Sequence, residues 1–258
     1  MKKISIYLIA TGVISLSSIT AHSQSKFEKI LKKVTTKTGS TSTTKGSSTA
    51  TGTPTTSEMG FGIKEALEIG ISRGTDLLSA KDGFLGNAAV KILFPPEAQK
   101  VERTLRSIGM GSLADNVILS LNRAAEDAAK EAKPIFVSAI KQMTITDVTN
   151  ILLGQQDAAT NYFKRVTTSQ LMEKFQPVIT ASLNKVGAAK YWGDAAGQYN
   201  KIPLVKPVST DLSSYVAQKA IDGMFIQVAQ EELKIRGSLG ARSTPLLQKV
   251  FGYADQKK

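Results

Sequence analysis

Asn122, Arg123 and Glu126 fall within little more than one turn of an alanine-rich helical pattern. If that turn faces inward, an amide, a guanidinium and a carboxylate line one cleft, where Arg123 could hold a carboxylate or phosphate through two parallel N–H bonds. If it faces outward with Asp127, Lys130 and Lys133, the same residues form a solvated, self-neutralising face. The i, i+4 pairs Arg123–Asp127 and Glu126–Lys130 would then contribute only about 0.2–0.5 kcal/mol each. A second ligand-binding candidate is Lys219 with Asp222, one turn from the apolar run Met224-Phe225-Ile226 and so placed to be half-buried and paired. Glu231, Glu232 and Arg236 follow on the same pattern, and Glu232–Arg236 reads as a surface-type pair. Carboxylates such as Glu126, Asp127 or Glu231 would suit glycoside hydrolysis, which takes two acids about 5–9.5 Å apart. Any acidic helical bundle offers such pairs by chance.

What is missing narrows the chemistry further. The 258 residues contain no cysteine and one histidine, His22. Thiol nucleophiles, disulfides and thiolate metal sites are therefore excluded. His22 falls in an N-terminal leader: Met1-Lys2-Lys3 is positive, residues 4–19 are largely apolar, and Ala21-His22-Ser23 places small residues at the −3 and −1 positions of a cut before Gln24. Those are the three parts of a secretory signal peptide. Gly12, Ser15, Ser17 and Ser18 dilute the apolar run below what a membrane anchor of about 20 residues wants. With no cysteine at the cut, the expected product is not a lipoprotein. It would lack Ser-His-Asp catalysis, His-ligated zinc and the usual neutral-pH proton shuttle. No calcium-loop motif is present, a di-iron Glu-x-x-His pattern needs histidine, and the Gly-x-Gly runs at 60–62 and 109–111 lack the P-loop lysine. No cofactor and no metal are expected.

The net charge of +12 invites a nucleic-acid reading, so its placement matters. Two charges leave with Lys2 and Lys3, a net five lie in residues 24–57, and two are Lys257 and Lys258, which leaves +3 for the rest. That is an ordinary mixed surface, and no nucleic-acid partner is expected. Residues 35–57 are almost entirely Thr, Ser and Gly. Such a stretch cannot bury enough apolar surface to offset chain entropy and reads as a disordered linker, either a plain spacer or an O-glycosylated stalk. Before it, Phe27, Ile30, Leu31 and Val34 recur at i, i+3, i+4 and i+7 among Lys26, Lys29, Lys32 and Lys33. This basic amphipathic pattern suits peripheral contact with an anionic membrane. At about ten residues it is too short to be a stable helix alone, so a frayed N-terminus is the other reading.

From residue 58 to 258 the signals are helical. Ile63, Leu67, Ile71 and Leu78 form one stripe, and residues 79–87 form a loop. Pro95-Pro96 open a helix with face Val101, Leu105 and Ile108, ended by Gly109. Ser112 with Asp115 resembles a capping box for a long helix whose inner face includes Ala114, Ile118, Leu121, Ala125 and Ala128, with Pro134 breaking or kinking it. Thr144 and Asp147 cap a short helix ended by Gly154. Helices over 157–166 and 168–186 follow, the second kinked near Pro177, and then a weaker one over 188–199. Tyr191-Trp192 in that weaker stretch is a packing anchor or a ligand platform. Thr210 or Asp211 opens the longest pattern, to Gly237, and Thr244-Pro245 begins the last helix. No segment alternates with period two. The expected architecture is all-α: a compact bundle of eight or nine helices.

The runs FGIKEAL, DGFLGN, LNRAAEDAAKEAKPIF, AIKQMTITD, DAATNYF, YVAQKAIDGMF and ARSTPLLQKVFG resemble an exported bacterial family, domain-of-unknown-function family 4197, from about Gly60 to Gly252. The resemblance implies a mostly helical domain behind a signal peptide in Gram-negative bacteria, and it implies no activity. The residues then suggest a non-catalytic periplasmic or cell-envelope binding protein, its partner an unknown envelope component or small ligand. A carboxylate-dependent hydrolase of envelope polymers and a helical lipid carrier, which would need an apolar cavity, are the alternatives.

Overall fold

The computed structural model describes residues 52–190, 192, 193, 200, 204, 207, 209 and 211–257. The leader, the linker up to residue 51 and the amphipathic residues Phe27 to Val34 lie outside the described residues. So does most of the weaker helical pattern of 188–199, of which 188–190 and 192–193 are helical.

Eight α-helices and no strand occur among the described residues: α1 Thr56–Ser79, α2 Gln99–Ser107, α3 Gly111–Ala129, α4 Ala132–Gln142, α5 Ile145–Leu153, α6 Ala158–Lys185, α7 Leu212–Gly237 and α8 Pro245–Asp255. Three short 3₁₀ residues precede α2 and three follow α7. The compact helical bundle that the periodicity predicts is what forms.

Helix α7 is the hub. It buries Val216, Ala217, Ala220, Ile221, Met224, Phe225, Val228 and Ile235, and packs against α1, α3 and α6. A helix apolar on most sides has to be central. Helix α3 packs against α6 and α7 and buries Ala124, Ala125 and Ala128, small side chains that suit close helix axes. Phe136, Phe163 and Phe225 meet edge-to-face at the centre, with ring centroids 5.3 and 6.2 Å apart. Two glycines permit close side-chain approaches between elements. A Cβ on Gly223 would lie 2.7 Å from Phe84 Cε1, and one on Gly62 would lie 2.8 Å from Val250 Cγ2.

Several boundaries differ from the sequence reading. Helix α6 is continuous where two helices were expected, and within it the hydroxyls of Thr167 and Thr168 donate to the carbonyls of Phe163 and Lys164 four residues back instead of competing for a turn. The Ser112–Asp115 capping box does not form. Asp115 instead accepts from Arg106 at 2.8 Å, and α3 begins at Gly111 with no side-chain cap. Ile108 is not on the inner face of α2: the helix ends at Ser107, Gly109 turns at φ +82°, and Ile108 is exposed. The Thr144–Asp147 box forms as expected, and Asp211 and Thr244 cap α7 and α8.

A capping box also opens α1, through Thr55 and Glu58. Lys249 on α8 donates to Glu58 Oε1 at 2.7 Å, and the Thr55 amide donates to Oε2 at 2.7 Å. The Lys249 bond first, and then the Thr55 bonds, lower the Glu58 pKa from its ordinary 4.5 to about 2. The folded pKa is below the unfolded one, so this contribution is fully present above pH 4.5 and is lost as pH falls towards 2. Urea unfolding at stepped pH should therefore show a shallower loss of stability across that window for Lys249→Met than for the parent chain. Identical slopes would refute the assignment.

Candidate functional site

Asn122 and Glu126 of α3 are buried and Arg123 lies half-buried against Glu126, and their partner is the chain itself. Residues 80–95 cross the bundle as a strap that buries Phe84, Val90, Ile92 and Phe94. Asn122, fully buried, accepts from the Ile92 amide and donates to the Ile92 carbonyl, both at 2.8 Å. Glu126 Oε1 accepts from the amides of Phe84 and Leu85, each at 3.2 Å. Its other oxygen takes an N–H from Arg123, which also donates to Asp82 at 2.7 Å. These contacts take up the hydrogen-bonding groups that would otherwise face a ligand, and they order the strap.

Lys219 and Asp222 lie half-exposed on α7, 3.8 Å apart, and Gln218 donates to Asp222 at 2.9 Å. They are remote in sequence from the α3 cluster, and among the described residues no hydrogen bond or ion pair joins the two groups. Glu232–Arg236 is not a surface pair: both side chains are 5% exposed. Glu232 accepts from the amides of Ala159 and Thr160 at the start of α6, and Arg236 donates to the carbonyls of Ile151 and Leu152 at the end of α5. The pair ties three helix ends together. Trp192 is buried, and its Nε1 donates to the Ser209 carbonyl at 3.0 Å, the geometry of a packing anchor.

The open polar site is elsewhere, in a groove between α4, α5 and α6. Two adjoining recesses of about 380 and 330 Å³ share Asp147, Tyr162 and Arg165. Gln142 and Gln170 border the first, and Asn150 and Asn161 the second. The floor is fixed. Tyr162 donates to the Ala139 carbonyl at 3.1 Å, and burial, followed by the Asp147 charge, raises its phenol pKa. Arg165 rests on this ring with Cζ 5.6 Å from the centroid, and its side chain remains 69% exposed. Asp147 Oδ2 accepts from the Thr144 hydroxyl at 2.7 Å and amide at 3.0 Å. Those bonds, with the Arg165 charge, lower the Asp147 pKa and keep the group ionised. Its Oδ1 faces Arg165 at 3.6 Å, an ion pair too long for a hydrogen bond.

Sequence reasoning placed Asp147 only as a helix cap and passed over Tyr162 and Arg165. The signal was present as an aromatic followed three residues later by an arginine on one helix face, but that spacing is common. On the opposite face of α5, Phe61 and Ile145 border an apolar recess of about 220 Å³. A smaller void lined by Ile63, Ile151, Ile235 and Phe251 holds about 20 Å³. Among the described residues no three acidic side chains converge as a metal site, and no helix is long and apolar enough to cross a membrane.

Fold and groove together define an all-helical domain with a solvent-open polar recess on a rigid floor. The chain belongs to the family described as "Protein of unknown function (DUF4197)", which matches residues 53–252. No curated protein and no solved structure matches it.

Proposed function

We propose that this chain is an exported cell-envelope protein that binds a ligand without transforming it, and that the α4–α6 groove is its binding surface. One observation carries the reading. Arg165 is pre-positioned on Tyr162 in an open recess, and among the described residues none accepts a hydrogen bond from its guanidinium. The arginines of the structural contacts, Arg106, Arg123, Arg236 and Arg242, all donate to partners within the fold. A guanidinium stacked on an aromatic ring loses little freedom on binding and matches planar anions.

A hydrolase reading has less support. The carboxyls of Asp127 and Asp147 are held below their ordinary range, through Lys130 and Thr144 respectively, whereas a general acid needs a raised value. Glu126 is engaged with backbone amides, and Glu231 accepts from Gln227 and Lys234 on its own helix. The void of about 20 Å³ in the core does not favour a lipid carrier, since it is about the size of one water.

Two experiments test the proposal. Fusing residues 1–30 to alkaline phosphatase, which is active only outside the cytoplasm, should give active enzyme in a Gram-negative host, and an inactive fusion would end the export reading. Arg165→Glu should reduce co-sedimentation of the mature chain with an isolated envelope fraction, while Arg73→Glu, at an exposed position of α1, should leave it unchanged. Equal retention of the two variants would remove the groove from consideration. The basic segment around Phe27, Ile30, Leu31 and Val34, with Lys29 and Lys33, is proposed to add peripheral contact with anionic lipid.

A further inference from the structure

We propose that the groove binds the zwitterionic head of an α-amino acid, with the carboxylate on Arg165 and the ammonium on Asp147. This inference rests on the groove being the binding surface and names the ligand it fits.

Two opposite charges in the groove are held side by side yet incompletely satisfied. Arg165 and Asp147 face each other at 3.6 Å, and among the described residues neither the guanidinium nor Asp147 Oδ1 makes a hydrogen bond. Each is anchored from behind, Arg165 on the Tyr162 ring and Asp147 by Thr144 through Oδ2. Their unfilled sides open into the recesses. A loose, exposed ion pair contributes little, so a ligand that replaces both halves of it sacrifices little.

Charge selects the ligand class. A simple carboxylate on Arg165 would be repelled by ionised Asp147, and a simple amine on Asp147 would be repelled by Arg165. A group carrying both charges on neighbouring atoms satisfies both, and an α-amino acid is the compact form of that pattern. The carboxylate can lie parallel to the guanidinium plane and accept two N–H bonds. Around this point, Gln142, Gln170, Asn150 and Asn161 offer amide donors and acceptors. They suit a polar side chain better than an aliphatic one.

The probe is glutamine, titrated into the ¹⁵N-labelled mature chain and followed by amide chemical shifts. Shifts should concentrate at 144–151 and 158–170. N-acetylglutamine, which lacks the ammonium, and glutaminamide, which lacks the carboxylate, should each bind about tenfold more weakly or worse. Alanyl-glutamine, whose two charges sit on different residues, should also weaken. Arg165→Ala should lower glutamine affinity by about tenfold or more, with Arg165→Lys intermediate because it keeps the charge and loses the fork. Equal binding of N-acetylglutamine, unchanged affinity in Arg165→Ala, or no shift in the groove up to the solubility limit would overturn the assignment. If glutamine moves nothing while Arg165→Glu still loses envelope retention, only the ligand class falls. If retention is also unchanged, the groove reading falls with it.

Discussion

Glu232→Ala should be the most destabilising single substitution at a polar position, lowering unfolding free energy by about 3–5 kcal/mol. The carboxylate accepts the amides of Ala159 and Thr160, the Thr160 hydroxyl, and two N–H groups of Arg236. Its removal leaves the first turn of α6 uncapped and a guanidinium buried without its counter-charge. Glu232→Gln should cost less, since it keeps one acceptor. Replacing the pair by Glu232→Leu with Arg236→Met should not restore stability, although apolar replacements of buried ion pairs often do. Here the pair also serves backbone groups of α5 and α6, which an apolar pair would orphan. Denaturant unfolding of the three variants decides this, and a double variant as stable as the parent would show the backbone contacts to be dispensable.

Asn122→Leu is expected to come next. The substitution keeps roughly the same volume but leaves the Ile92 amide and carbonyl without partners in a dry interior. The cost is roughly 1–3 kcal/mol for each orphaned group. Loss should be concentrated in the strap: hydrogen exchange at 80–95 should accelerate more than exchange in α6 and α7. Uniform acceleration would mean that the strap and bundle open as one unit. Gly223→Ala should loosen the same element from its other side, because the added methyl meets Phe84.

Much of the fold was legible in the sequence because helix signals are local. The Thr144–Asp147 box, the Asp211 and Thr244 caps and the apolar stripe of α1 can each be read within a few residues, and each forms. The failures have a common origin. Asp115 looked like a cap partner until Arg106, nine residues away, came within 2.8 Å of it. The pattern read as two helices separated at residue 167, yet α6 runs through it, and the Thr167 and Thr168 hydroxyls bond to carbonyls of that same helix.

The candidate site was less legible. Asn122, Arg123 and Glu126 are drawn together by one helical turn, which sequence alone shows. What they face is the strap some 30–42 residues earlier, and no local pattern encodes that meeting. Glu232 and Arg236 likewise read as an exposed i, i+4 pair until α5 and α6 cover them, 72–85 residues away in sequence.

By itself, then, the sequence determined that the described domain is helical and that any chemistry there must proceed without cysteine or histidine. Composition and periodicity are properties of residues and their near neighbours. Tertiary structure decided which polar residues were consumed as internal ties and which were left facing water. That choice turns on packing between helices distant in the chain, and it left Arg165 and Asp147 open while closing Glu126 and Arg236.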